Sequence, residues 1–220
     1  MNLTGVPGPP ASSYPLGVAQ NLRLGNMGDL VVTEAHGKYY EAAYRGKLFS
    51  WGGSVYALTA NTLVLSSTGT PIVGVYNPTG SGKNVVIAKV KLQIVTAGNS
   101  AAVPGGFVYA QSIGNTAVST GNAPFNRGAG TYLGSVAKGF ANGTVMTGLT
   151  TSLSIVGAAA FGNLVAAQGA TATPAFSPIC QEEFDGGWIV PPGGMWGLFN
   201  TVSTTTISVA TDLIWEEEWL

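Results

Sequence analysis

One segment constrains the fold more than any other. In NVVIAKVKLQIVT, residues 84–96, Val86, Ala88, Val90, Leu92 and Ile94 fall on one side and Lys89, Lys91 and Gln93 on the other. A period of two belongs to a β-strand with one face in a core and does not suit a helix. The turn NPTGSG, residues 77–82, precedes it, and PIVGVYN before the turn is expected to supply the other strand of a hairpin. The pattern returns near the C-terminus. Trp188, Ile189 and Val190 run into PPGG, MWGLFN follows as a strand, and then Ile207, Val209, Thr211, Leu213 and Trp215 alternate with Thr206, Ser208, Ala210, Asp212 and Ile214. Short strands with frequent turns predict an all-β chain, an antiparallel jelly-roll-like β-sandwich.

The remaining segments fit around that framework. Residues 29–44, DLVVTEAHGKYYEAAY, read as two strands, with a helix of one or two turns over YYEAAYR as the alternative, and RGKLFSWGG closes on the pair Gly52 and Gly53. Residues 98–181 are rich in Gly, Ala and Thr. They hold short apolar pieces such as GFVYAQS and TSLSIVG, and SIVGAAAFGNLVAA has the length of a short helix against which Gly157 and Gly162 argue. Residues 1–21 carry Pro7, Pro9, Pro10 and Pro15, which favour extended chain over packed strand and predict an N-terminal arm held by a neighbour. Residues 22–220 are then a single sandwich domain; the 220-residue chain can bury about 70% of its unfolded surface without staples.

Charge and chemistry narrow the function. Charged residues make up 9% of the chain, against about 25% in an ordinary soluble domain. Such a surface suits a protein covered by contacts with others. Residues 1–138 hold nine bases and three acids (9 − 3 = +6), and residues 139–220 hold seven acids and no base (−7). These parts are complementary, either within one subunit or between subunits. With one His and one Cys, a Cys/His zinc site and an internal disulfide are both excluded, and no cofactor or metal is expected. The dispersed bases form no nucleic-acid footprint. The charge-free stretch from Gly139 to Gln181 is too interrupted for a membrane span, and no signal-peptide pattern opens the chain, so neither a membrane nor signal-directed export is expected.

Motifs that suggest catalysis fail on context. TGSGK, Thr79 to Lys83, has Asn77 and Asn84 where a phosphate loop needs Gly and Ser or Thr, and a strand follows it in place of a helix. GAGTYLG, Gly128 to Gly134, lacks a surrounding βαβ unit and reads as a loop. His36 with Cys180 or Ser12 is the only nucleophile and base pairing to weigh, and no orienting motif accompanies it. The carboxylate clusters EEFD, from Glu182, and EEE, from Glu216, lack cation-loop spacing and read as a solvated rim or a contact to a neighbour's basic part. The chain is therefore expected not to be an enzyme.

The phrases GDLVVTEAHGKYYEAAYRGKLFSW, NPTGSGKNVVIAKVKL and DGGWIVPPGGMWGLFNT resemble segments of virion structural proteins of tailed bacteriophages. Within that group the chain is most similar to the jelly-roll cement or decoration proteins on the outside of an icosahedral head. The resemblance implies a β-sandwich, a homodimer or homotrimer, and an arm lying across neighbouring major capsid proteins. It also implies a place on the capsid surface of the virion after synthesis in the host cytoplasm. It carries over a role and no site residues. Tyr14 and Leu16 are the expected anchors of the arm, and the Trp-rich end, Trp215 and Trp219 flanking three glutamates, is an expected interface, with completion of the last strand as the other role open to Trp215. Head fibres, tail collar proteins and receptor- or glycan-binding adsorption proteins use similar sandwiches. For the adsorption reading Tyr39, Tyr40, Tyr44 and Trp51 are the aromatics of interest.

Overall fold

A computed structural model of the chain describes residues 38–55, 71–96, 107–116, 118, 121–131, 134–141, 146–158, 179–200 and 208–220. Two compact units divide the chain, Met1–Tyr40 and Glu41–Leu220, and the sandwich lies in the second. The expected arm, with Tyr14 and Leu16, lies outside the described residues.

The elements in order are α1 (Tyr40–Tyr44), β1 (Leu48–Val55), β2 (Val73–Tyr76), β3 (Lys83–Thr96), β4 (Phe107–Ser112), β5 (Phe125–Asn126), β6 (Lys138–Ala141), β7 (Ser154–Ala158), β8 (Ile179–Val190), β9 (Met195–Asn200) and β10 (Ser208–Trp219). They build two antiparallel five-stranded sheets, ordered β5-β1-β10-β3-β8 and β6-β2-β9-β4-β7, packed as a sandwich. With the short edge strands β5 and β6 set aside, β1 pairs with β10, β2 with β9, β3 with β8 and β4 with β7. That nested order is the winding of a jelly roll.

Nesting has a consequence for the turns. β2 and β3 belong to different sheets, so residues 77–82 carry the chain from one sheet to the other, and the expected hairpin between PIVGVYN and β3 does not form. Residues 191–194 make the same crossing between β8 and β9. Gly80, Gly82 and Gly193 adopt the left-handed backbone that these tight crossings need.

The core between the sheets is apolar and aromatic. Phe49, Val75, Ile87, Leu92, Trp196 and Trp215 are among its fully buried members. A second cluster, including Tyr76, Phe140, Met146, Leu153 and Phe199, lies on the other face of the second sheet. Both faces of β9 are therefore covered, and all six of its residues are buried.

β3 corrects the alternation read from its sequence. Ile87 faces Trp215 and Lys89 faces Ile214, which leaves Ala88 as an extra residue between two paired ones. This β-bulge reverses the phase of the strand. Val85 and Ile87 point into the core before it, Val90 and Leu92 after it, and Val86 is turned away, half-buried.

Two further expectations change. Tyr40–Tyr44 is a one-turn helix and not a strand, favoured by Ala42 and Ala43 and by the Glu41–Arg45 pair one turn apart at 2.5 Å. Gly52 and Gly53 lie inside β1 and do not end it; a Cβ on Gly52 would collide with the carbonyl oxygen of Thr211 on β10. Ser154–Ala158, the start of SIVGAAAFGNLVAA, is an edge strand, in line with Gly157 arguing against a helix there, and residues 159–178 lie outside the described residues.

Each open side of the sandwich is closed by a tryptophan on the first sheet laid against a glycine of the second. Trp51 of β1 covers Gly139 of β6, and Trp188 of β8 covers Gly157 of β7. A Cβ on Gly139 would overlap the Trp51 indole. Gly139→Ala is expected to destabilise the fold by about 1–3 kcal/mol through overpacking, read as a lower urea midpoint with unchanged slope.

Candidate functional site

The described residues converge at one end of the sandwich, where the crossings 77–82 and 191–194, the loop after β4, the start of β1 and the C-terminus come together. Backbone groups in such loops have no ladder partners, so side chains must supply them. Asn77, fully buried, donates from its amide nitrogen to the carbonyls of Lys83 (2.8 Å) and Val190 (2.9 Å). Its backbone exchanges bonds with the second crossing, Asn77 N to Gly194 O at 2.8 Å and Gly193 N to Asn77 O at 2.7 Å. Asn115, 1% exposed, donates to Gly193 O at 3.1 Å and accepts from the backbone N–H groups of Thr150 (3.0 Å) and Thr151 (3.3 Å). Thr79 closes the set by donating to Asn115 O at 2.7 Å. An asparagine amide is both donor and acceptor, which suits it to stitch several loops from a buried position.

Beside this network sits a buried carboxylate. Glu217 continues the inward face of β10 after Val209, Thr211, Leu213 and Trp215, and is 1% exposed. It accepts from Lys83 Nζ (3.2 Å), Ser135 Oγ (2.5 Å) and the backbone N–H of Val136 (3.2 Å). A buried charge persists only when paired and hydrogen-bonded, and Glu217 is both. The Lys83 ammonium also stands 5.0 Å over the Trp219 ring. Outside this pair, Lys47 Nζ meets Glu218 at 2.6 Å. The Lys47 bond holds the Glu218 carboxyl below its ordinary value, whereas burial and the neighbouring Glu218 push Glu216 up, so Glu216 takes the proton first as the pH falls.

Within the EEE segment Glu217 is buried and paired inside the chain and is no part of a solvated rim, whereas Glu218, though paired with Lys47, keeps 43% of its side chain exposed. More broadly, Lys47–Glu218, Lys83–Glu217, Lys89–Glu183, Lys91–Asp212 and Arg127–Asp212 each join a base of residues 1–138 to an acid of residues 139–220 within one chain. For these residues the charge asymmetry of the sequence closes inside the subunit.

Trp215 corrects a second expectation. It is fully buried, with its ring stacked on Phe49 at a centroid distance of 6.5 Å, so it completes the core and offers no surface to a partner. Trp219 differs, being 71% exposed, with Leu220 beside it at 75%. Of the four aromatics considered for adsorption, Trp51 is a packing residue against Gly139 and Tyr44 is exposed. His36 and Ser12 lie outside the described residues, as does the side chain of Cys180.

Neither asparagine was singled out by sequence reasoning, and Glu217 was read as part of a cluster. The signal for Glu217 was its phase, two residues after Trp215 on the same alternating face. The signal for Asn77 was its place at the head of the turn that leaves β2.

One more polar pair, part-buried, lies away from this end. Tyr109 donates its hydroxyl to Glu182 Oε2 at 2.6 Å, inside an aromatic group with Trp196 (centroids 5.0 Å) and Phe184 (5.2 Å). Burial, and then the bond to Glu182 and its charge, push the Tyr109 phenol far above its ordinary value.

Among the described residues no group of three or more His, Cys, Asp or Glu could hold a metal ion, and no helix is long and apolar enough to cross a membrane. Each buried polar side chain in the end network bonds a loop or an opposite charge; the arrangement braces a surface. Comparison of the chain with protein-family models, curated proteins and solved structures found no match.

Two measurements check these assignments. Glu217→Ala leaves Lys83 unpaired beside the core and is expected to cost about 3–5 kcal/mol, while the double change Lys83→Met, Glu217→Leu regains most of that loss in urea denaturation. The raised Tyr109 value gives stability that is intact below about pH 10 and falls as pH rises past the point where an unfolded tyrosine ionises. Tyr109→Phe is expected to flatten the alkaline fall of the melting temperature while giving up one hydrogen bond at neutral pH.

Proposed function

We propose that this chain is a non-enzymatic structural protein of a tailed-bacteriophage virion, a cement or decoration protein that sits on the outside of the head and clamps neighbouring major capsid proteins. The observation that carries this reading is where the charge lies. The ion pairs named above close within the sandwich. The strand ends Val55, Thr96, Ala158 and Asn200 lie at the end opposite the asparagine network, and the sequence segments 56–70, 97–106, 159–178 and 201–207 hold no Lys, Arg, Asp, Glu or His. A chain with this distribution favours apolar, closely fitted contact over electrostatic capture.

A clamp of this kind resists internal pressure by adding interface across seams, with many copies acting together. The Pro-rich residues 1–21 add reach, since an extended segment covers much area with few residues. Tyr14 and Leu16 are its anchors in this proposal, the major capsid protein is the partner, and the protein acts there as a homo-oligomer.

The test is to mix purified protein with expanded heads that lack it, sediment them and count bound copies by quantitative gel. Hundreds of copies at a fixed ratio to the major capsid protein are expected, with occupancy little changed between low and high salt because the contact is largely uncharged. Removal of residues 1–21 is expected to lower occupancy. Binding of about a dozen copies, as at a set of vertices, or binding only to the tail vertex or to host cells, would assign the protein to a head fibre, collar or adsorption role.

A further inference from the structure

Two acidic side chains at the end of β10 do not face the core. Glu216 and Glu218 stand two residues apart on the outer face of the strand, on either side of the inward-pointing Glu217, and their carboxyl groups are hydrogen-bonded to each other. An ionised carboxylate can only accept, so a bond between two carboxyl groups holds one proton for the pair. Lys47 completes the group, with its ammonium 2.6 Å from Glu218 Oε2. Three hydrogen bonds fix the backbone around that lysine. Lys47 N donates to Ala42 O at 2.9 Å, Glu217 N donates to Lys47 O at 3.0 Å, and Asn126 Nδ2 donates to Gly46 O at 2.9 Å.

We infer that Glu216, Glu218 and Lys47 form a proton-operated clasp between the end of β10 and the start of β1, engaged in mild acid and weakened at neutral pH and above. With the proton on Glu216, that carboxyl donates to Glu218, and Glu218 stays ionised against Lys47. When the proton leaves, two carboxylates repel each other on one strand face and a single ammonium serves both. The neighbours of the pair separate its two titrations. Glu216 lies opposite Leu48 of β1, which is buried, and Val86 of β3, which is half-buried, and neither side chain can stabilise a charge. Burial, and then the bond to Glu218 and its charge, push Glu216 up, while the Lys47 bond holds Glu218 down with a smaller contribution from Arg45. The other charged groups nearby are engaged with partners of their own. Arg45 pairs with Glu41 of α1, Lys83 of β3 with the inward Glu217, Lys89 of β3 with Glu183 of β8, and Arg127, just after β5, with Asp212. The raised Glu216 contributes stability that is complete below the ordinary glutamate value, about pH 4.3, and is lost as the pH rises through its folded value. The lowered Glu218 contributes stability that is complete above that ordinary value and is lost as the pH falls through its own. The two contributions are complete together near the ordinary value, so the clasp is tightest in mild acid. It belongs to the sandwich itself and stands independently of the virion reading.

The experiment is urea denaturation of the full chain and of Glu216→Gln at a series of pH values, the amide standing in for a carboxyl that never loses its proton. The midpoint of Glu216→Gln is expected to lie above that of the unsubstituted chain at about pH 8, with the gap closing as the pH falls towards about 4.5. Carbon-13 NMR of the glutamate carboxyls gives a second measurement that needs no variant at Glu216. In the unsubstituted chain Glu216 is expected to titrate above the ordinary glutamate value and Glu218 below it, and Glu218→Gln is expected to bring the Glu216 titration down. A midpoint gap that does not change with pH overturns the inference. So does a Glu216 that titrates at the ordinary value, or one that Glu218→Gln leaves unmoved, since burial alone would then account for it.

Discussion

The antiparallel ladder between β3 and β10 is the constraint on which the rest depends. It runs from Ser208 opposite Thr96 to Trp219 opposite Lys83, and it places the last twelve-residue strand of the chain at the centre of the first sheet. No local hairpin can make this pairing, because more than a hundred residues separate the partners. The chain must therefore close a long loop before the contacts repay it, which is the slow, non-local kind of folding. Once formed, the ladder aligns the Lys91–Asp212 pair along it and brings Lys83 against Glu217 at its end. The bulge at Ala88 keeps both halves of β3 facing the core.

Much of this was legible in the residues, and what was not has a physical reason. The alternation in β10 read correctly because Asp212 and Glu216 punctuate the face opposite Val209, Leu213 and Trp215. In β3 the run Val85, Val86, Ile87 and Ala88 is apolar on both faces, so nothing in the sequence marks where the phase reverses. The crossing at residues 77–82 has hairpin chemistry, and which sheet the next strand joins depends on partners far away in the chain. The helix Tyr40–Tyr44 is a single turn, too short for a 3.6-residue period to show in the sequence. At the end surface, Trp219 was legible as an exposed aromatic, whereas Trp215, four residues earlier on the same face, lies deep enough to be core.

The buried polar groups show how a chain with so little charge uses it. Glu217, Asn77 and Asn115 sit where loops cross between sheets, and each satisfies backbone or side-chain groups that would otherwise be buried unpaired. Removing any one of them alone leaves its partners buried and unpaired, which is the costly outcome. The effect is to turn the end of the sandwich, ordinarily its most variable part, into a fixed platform for Trp219 and Leu220. Under the proposed structural role such a platform helps, because rigidity established during folding need not be supplied again on binding.

The β3–β10 ladder and its braced end are expected to behave as one cooperative unit. Native-state hydrogen exchange measures this directly, amide by amide. The amides of β3 and β10, together with those of Asn77, Asn115 and Gly193 in the crossings, are expected to exchange only through global unfolding, with a common free energy and a common denaturant slope. Exchange of the Asn77, Asn115 and Gly193 amides through a local opening well below the free energy of the ladder would contradict the account.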